Sequence, residues 1–309
     1  MLQIEYVTVD RERSGQRIDN FLFNHYAGVP KSRIYKAIRK GEVRVNKKRI
    51  AFSYRLVLDD LIRLPKLNAS THGHFEANSS SLPMVLSSPF TVIYEDDFIL
   101  VINKPDRIPV HAGSKQSHGI IERLKLTYPT SHLYLVHRLD KDVTGCLIIA
   151  KGRHVLNEIQ QHWHHQNTQK HYQALVFGQY QNQRTHINIP LSKKELGKDK
   201  SSLTMITSSQ CHPSESYSLL AIALDSGRNH QIRKHLAYTL FPIVGDDKYG
   251  DFERNRTFYH KTDCNKLFLH CCRLTFHHPS KGWLTVNADW PKPQCDIMTS
   301  LDFQVNEHD

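Results

Sequence analysis

The sequence contains no apolar run approaching the roughly 20 residues that a membrane helix requires. Its opening, MLQIEYVTVDRERSG, carries acids and no apolar core, so no export signal is expected and the cytoplasm is the expected compartment. The six cysteines, Cys146, Cys211, Cys264, Cys271, Cys272 and Cys295, form no CxxC pair. Reduced, mostly buried thiols are therefore expected rather than a disulfide framework. The 21 histidines also lack the paired spacing of a structural zinc site. Their local clusters, His162-Trp163-His164-His165 and His270 beside Cys271-Cys272, carry no expectation of metal. No internal repeat is present.

What remains is a chain of 309 residues, 39% hydrophobic and 23% charged, long enough for two domains of ordinary globular composition. Its 41 Lys+Arg outnumber its 30 Asp+Glu, a net charge of +11. The excess is uneven: residues 1–70 hold 15 basic against 7 acidic side chains, leaving 26 against 23 for the rest. A positive field concentrated in a small N-terminal segment points to a polyanion partner whose binding weakens with salt.

Residues Gly15–Leu64 read as a compact α/β module. Arg17-Ile18-Asp19-Asn20-Phe21-Leu22 has helical apolar spacing, and Pro30 precedes a second helix, Lys31–Lys40. There Ile34, Ala37 and Ile38 share one face, the basic residues lie mostly elsewhere, and Gly41 is placed to end the helix. Short strands are expected at Val43–Asn46, Tyr54–Leu58 and Leu61–Leu64. The polar, Ser/Asn-rich stretch 67–88 reads as a linker between domains 1–66 and 89–309. In the second domain Thr91–Tyr94 and Phe98–Asn103 bracket a hairpin signal. Further strands are expected at Tyr172–Phe177, Tyr217–Leu224, Lys266–Phe276 and Trp283–Val286, and helices at Ile120–Leu126, His154–His165 and Asn229–Leu240. The strands are too closely spaced for a doubly wound parallel fold, so the class is mixed α+β.

Between the β-branched runs Leu133–Val136 and Cys146–Ala150 lies His137-Arg138-Leu139-Asp140-Lys141-Asp142-Val143-Thr144-Gly145. An Arg and two carboxylates in a sharp polar loop between strands read as a site rather than a core. This segment resembles the signature loop of the RluA-type pseudouridine synthases. Other motifs of that family follow in order: Asn103-Lys104-Pro105 with Val110-His111, the strand Gln169–Gly178, the strand-to-helix segment Ser226–Leu236, and Leu269-His270 with His278-Pro279. The N-terminal module resembles the S4 RNA-binding domain over Gly15–Arg49, and that run looks most like family members that modify large-subunit (23S) ribosomal RNA.

The resemblance implies a small S4-like module followed by a catalytic domain with a central mixed, mainly antiparallel sheet. It makes Asp140 the catalytic carboxylate, with Arg233 set against it, Tyr172 against the target base and Arg138 near the flipped-out nucleotide. Ile232 is implied as an apolar wall and Lys104 as a substrate contact. The S4 likeness nominates Lys31, Arg33, Lys36, Arg39, Lys40, Arg44, Lys47 and Lys48 for RNA phosphates. Isomerisation of uridine needs no redox partner and no external energy, so no cofactor is expected, and a monomer acting on 23S rRNA or an assembling subunit is the expected form. Two departures stand out: Val143-Thr144 replaces the family's Thr-Ser pair, and Asp142 is a rival carboxylate. Another RluA-type enzyme acting on other rRNA sites or tRNA is the nearest alternative. An RNA-binding assembly factor with a decayed loop, and a metal-dependent hydrolase, are the alternatives of other classes.

Overall fold

The computed structural model describes residues 4–26, 28–67, 90–111, 119–129, 132–181, 185–189, 202–225 and 227–305. The stretch read as a linker lies outside the described residues except for Leu67. Contacts divide the chain into two units, Met1–Ser87 with Gly152–Asn157, and Ser88–Lys151 with Glu158–Asp309.

In the first unit, β1 (Glu5–Thr8), α1 (Ile18–His25), α2 (Lys31–Lys40), β2 (Arg44–Val45) and β3 (Leu61–Leu64) follow in order. Ile18, Phe21 and Leu22 of α1 pack with Ile34, Ala37 and Ile38 of α2 in one apolar core. The i, i+3, i+4 spacing of these residues is what commits both segments to helix. Gly41 ends α2 in the left-handed region, φ 71°, and its N–H reaches back to the carbonyls of Ala37 and Ile38. A two-residue turn follows: Asn46 and Lys47 both have positive φ, and Val45 and Lys48 exchange hydrogen bonds of 3.1 and 2.9 Å. Asn46 tolerates this backbone and is pinned by its side chain, which donates to Asp60 Oδ1 and accepts from the Leu61 N–H. The turn leaves Lys47 and Lys48 exposed.

Strand β3 lies between β1 and β2, antiparallel to both. The strand expected at Tyr54–Leu58 does not form. That segment spends its backbone groups on the loop before α1, through Gly15 N–H to Leu56 O, Leu56 N–H to Gln16 O and Ile18 N–H to Tyr54 O. Only a single bridge, Arg17 with Arg55, remains of it.

The second unit is built on a ten-stranded sheet. Its elements are β4 (Thr91–Glu95), β5 (Ile99–Lys104), α3 (Ile120–Thr127), β6 (Leu133–Leu135), β7 (Thr144–Lys151), α4 (Arg153–His162, whose residues up to Asn157 group with the first unit) and β8 (Gln169–Phe177). They continue with β9 (His186–Asn188), β10 (Leu203–Cys211), β11 (Tyr217–Leu224), α5 (Gln231–Tyr238), α6 (Phe252–Thr262), β12 (Leu269–His278), β13 (Gly282–Asn287) and α7 (Lys292–Ser300). The strand order is β4-β5-β7-β12-β8-β11-β10-β9, with β13 added to β12 and β6 to β7. Only the β7–β12 pair is parallel among the described strands, joining Thr144 to His270 and Gly145 to Cys271. Gly145 is obligatory at this join: φ is 111°, and a Cβ would sit 2.2 Å from the Cys271 carbonyl oxygen. Strand β7 is buried from Thr144 to Ala150, in keeping with its uninterrupted apolar run.

Among the described residues no helix is long and apolar enough to cross a membrane.

Candidate active site

The loop between β6 and β7, the start of β8, the N-terminal turn of α5 and the start of β12 surround a cavity of about 400 Å³. Arg138, Asp140, Tyr172, Ile232 and Arg233, widely separated in sequence, all line it. Asp142 is not among the lining residues, and its charge instead opposes the fall in the Lys104 pKa. The two carboxylates of the loop are thus separated by position.

The loop is held from beneath. Lys104 is 0% exposed, and its Nζ donates to the carbonyls of Pro105, Lys141 and Val143, each at 2.8 Å. This corrects the expectation of a substrate contact: a side chain enclosed by loop carbonyls cannot reach RNA. Burial pulls the Lys104 ammonium down to about 7, opposed by the charges of Asp142, Asp106 and Asp140. Thr144 Oγ bonds His270 Nδ1 at 2.8 Å, while His270 Nε2 lies 2.9 Å from the Ala288 carbonyl oxygen. The hydroxyl retained beside Gly145 therefore ties the loop to β12. Val143, at the position of the missing family hydroxyl, is buried and lines the cavity.

His137 supports the loop from its other end. Its Nε2 accepts the Ile148 N–H at 3.2 Å, and its ring stacks on Trp163 at 5.2 Å. Burial pushes its pKa down to about 3, with Lys170 adding to the fall. The sign of the linkage follows: the unfolded chain takes up a proton near 6.5 and the folded chain does not until about 3. Stability from this group is complete above 6.5 and drains as pH falls toward 3, by at most about 1.4 kcal/mol per pH unit. His137→Gln, which keeps an acceptor but cannot be protonated, is expected to flatten the dependence of the urea midpoint on pH between 6.5 and 4. A variant whose midpoint follows pH as steeply as wild type would remove the assignment.

Arg233 is where the site departs most from expectation. Its fork does not close on Asp140. Nε and Nη2 donate to Asp246 Oδ2 and Oδ1 at 2.8 and 2.6 Å, and Nη2 reaches Asp247 at 3.2 Å. A bidentate pair is the geometry a guanidinium favours, and both partners are buried, Asp246 to 1% exposure. Asp246 Oδ1 also accepts the N–H groups of Lys248 and Tyr249. Burial alone would raise the Asp246 pKa, but the Arg233 hydrogen bonds hold it below the usual carboxylate value. Burial alone would lower Arg233, but Asp246 first and Asp140 after it hold the guanidinium above its ordinary value. Arg233 thus stays charged and acts on Asp140 through space.

A histidine also stands beside Asp140. His230 Nε2 lies 3.9 Å from Asp140 Oδ1, and its Nδ1 is 3.1 Å from the Tyr249 hydroxyl. His230 occupies the left-handed region, φ 55°, as the N-cap of α5, a conformation that costs a non-glycine residue energy and persists where its surroundings hold it. Burial pulls its pKa down while the Asp140 charge opposes the fall. The Tyr249 ring also lies under Arg233, with Cζ 5.4 Å from its centroid. Asp246, Tyr249 and the link through His230 were not anticipated from the sequence. The one available signal was that a buried Arg requires a carboxylate, and Asp246-Asp247 follows the apolar Ile243-Val244 closely.

Tyr172, half-buried, presents its ring to the cavity. Burial pushes its phenol well above the usual range, with the neighbouring Cys271 thiol adding to the rise. Its ring is a neutral face against which a base can stack. Lys170 and Trp163 complete one wall, with Nζ 5.3 Å from the indole centroid. Ile232 is buried and lines the cavity.

In the first unit Lys31, Lys36, Arg39, Lys40, Lys47 and Lys48 are exposed. Two nominated residues are occupied internally. Arg33 pairs with Glu42 at 2.9 Å, and Arg44 Nε donates to the Gly41 carbonyl at 3.2 Å. Both are half-buried and bonded near the end of α2.

This architecture and site match a known class. Residues 98–238 match the RNA pseudouridylate synthase family, and residues 16–62 the S4 domain. The chain belongs to the RNA pseudouridine synthase family, as a member with an N-terminal S4 domain, and is an isomerase. It is 40% identical to ribosomal large subunit pseudouridine synthase C of Escherichia coli, over 90% of both chains. It is 39% identical to the protein of the same name from Vibrio parahaemolyticus, over 93% of each. Among solved structures, human RNA pseudouridylate synthase domain containing 4 superposes with a TM-score of 0.57 at 23% identity, over 70% of this chain and 94% of that one. That likeness shows the shared fold.

Proposed function

We propose that this chain isomerises specific uridines of 23S ribosomal RNA to pseudouridine, with Asp140 as the catalytic carboxylate. The observation that carries the reading is the convergence of Asp140, Tyr172, Arg138 and Ile232 on one cavity, in a chain similar to ribosomal large subunit synthases over nine-tenths of its length. A uridine inside a helix is out of reach, so the target must leave its stack and enter the cavity. Arg138, exposed at the cavity, is placed to stand beside the strand the base has left. Once inside, the bond between N1 and C1′ breaks, a bond between C5 and C1′ forms, and the C5 proton is exchanged for one on N1. Atoms and electrons balance within the nucleoside. Asp140 serves as the carboxylate at the ribose–base bond, whether by attack at C1′, addition to the base or removal of the C2′ proton. Tyr172 holds the freed uracil by its face, leaving the ring edge free to turn. The exposed lysines and Arg39 of the first unit supply sequence-independent phosphate contacts.

The test is site-resolved pseudouridine mapping of total RNA in a strain deleted for this protein and complemented with it. Restored sites in 23S rRNA are expected. Sites restored only in tRNA would keep the chemistry and overturn the substrate.

A further inference from the structure

The phosphate contacts above are blind to sequence, yet the first unit holds a second cavity of different character. It measures about 630 Å³ and is lined by Tyr35, Ile38 and Arg39 of α2 and by Arg49, Ile50 and Phe52 of the segment after the tight turn. Phe52 is 50% exposed. It is nonetheless held in place. Tyr35 meets it edge-on, with centroids 5.8 Å apart at 89°, and the Arg17 guanidinium lies 5.7 Å from its centroid. Arg49 is positioned by Gly41: a Cβ there would fall 2.8 Å from Arg49 Nε, so the glycine that ends α2 also makes room for this side chain. Arg39 and Arg49 are both exposed beside the apolar walls.

We propose that this cavity is a binding site for an unpaired RNA base, taken against Phe52, with Arg39 and Arg49 on its flanking phosphates. An aromatic ring on an apolar floor accepts the face of any nucleobase, and two guanidinium groups match the charge on either side of it. A purely apolar ligand would gain nothing from the arginines, and a paired base keeps its face stacked in its own helix. The positive excess of residues 1–70 fits the same occupant. The site rests on the reading of RNA as substrate and adds to it a means of choosing where on a folded RNA the protein docks: beside a loop or bulge rather than along a regular duplex.

The experiment uses the full chain with a short hairpin RNA carrying 2-aminopurine in its loop, and a fully paired duplex of equal length. Wild type is expected to favour the hairpin and to change the probe's fluorescence. Phe52→Ala is expected to weaken hairpin binding by roughly 5- to 100-fold with an unchanged salt slope, and to leave duplex binding within about twofold. Phe52→Trp is expected to keep hairpin affinity, which separates loss of stacking from loss of folding. Arg49→Gln is expected to lower the salt slope by about one for the hairpin. Hairpin binding by Phe52→Ala equal to wild type, or an equal loss on hairpin and duplex, overturns the pocket and leaves the catalytic reading standing. Failure of wild type to bind either RNA would count against both.

Discussion

Asp140→Asn is expected to lower pseudouridine formation by roughly 10⁴-fold or more, while RNA affinity stays within about threefold of wild type. The substitution is nearly isosteric and removes only the charge and basicity of one carboxylate lining the cavity. The phosphate contacts proposed for the other unit are untouched, so binding is expected to survive and the covalent step is not. The control is Asp142→Asn. That carboxylate does not line the cavity, and it faces the Lys104 charge beneath the loop. Its loss is expected to cost about tenfold at most, by loosening the loop through Lys104. Single-turnover rates on a transcript containing the target uridine, with affinities from filter binding, decide the matter. An active Asp140→Asn with a dead Asp142→Asn would transfer the catalytic role.

Asp246→Asn is expected to be the most damaging single change to stability. Arg233 is as buried as its partner, and the pair is bidentate. Removing one member of such a pair strands the other charge and costs about 3–5 kcal/mol. In a chain of this size that is a fall in Tm of roughly 10 °C. An amide also turns a donor toward the guanidinium, and the N–H groups of Lys248 and Tyr249 lose a charged acceptor. The double variant Arg233→Met with Asp246→Leu leaves no stranded charge. It is expected to regain much of the Tm and none of the turnover, because Asp140 then lacks the cation that acts on it. Thermal melts run beside turnover assays would show this. A single variant melting within about 2 °C of wild type would mean that the pair contributes little to the folded state.

These residues show what was legible in the chain and what was not. The loop around Asp140 was readable because it interrupts two strongly β-branched runs, and the structure places strands on both sides of it. The cavity-lining positions of Arg138, Tyr172 and Ile232 followed from motif likeness. The partner of Arg233 did not: it lies 13 residues away in a polar turn with no periodicity to mark it. The destination of Lys104 was hidden for a related reason. Its acceptors are backbone carbonyls, which every residue carries, so no side-chain pattern reports them. Strand β10 escaped notice because its Thr- and Ser-rich sequence is only partly buried, and α6 because Phe258 is its one buried residue among those its helix turns inward. β1 was missed because four residues at a sheet edge carry too little alternation to register.

The parallel join of β7 to β12 has a bearing on when the protein becomes competent. Thr144 is locked to His270 across a separation of 126 residues. Contacts this distant form slowly and only after the intervening chain exists. On a translating ribosome the signature loop emerges more than a hundred residues ahead of the strand that anchors it. A chain that stops short of β12 would carry its S4 domain ahead of an unassembled catalytic centre, so competence to modify RNA waits for that strand.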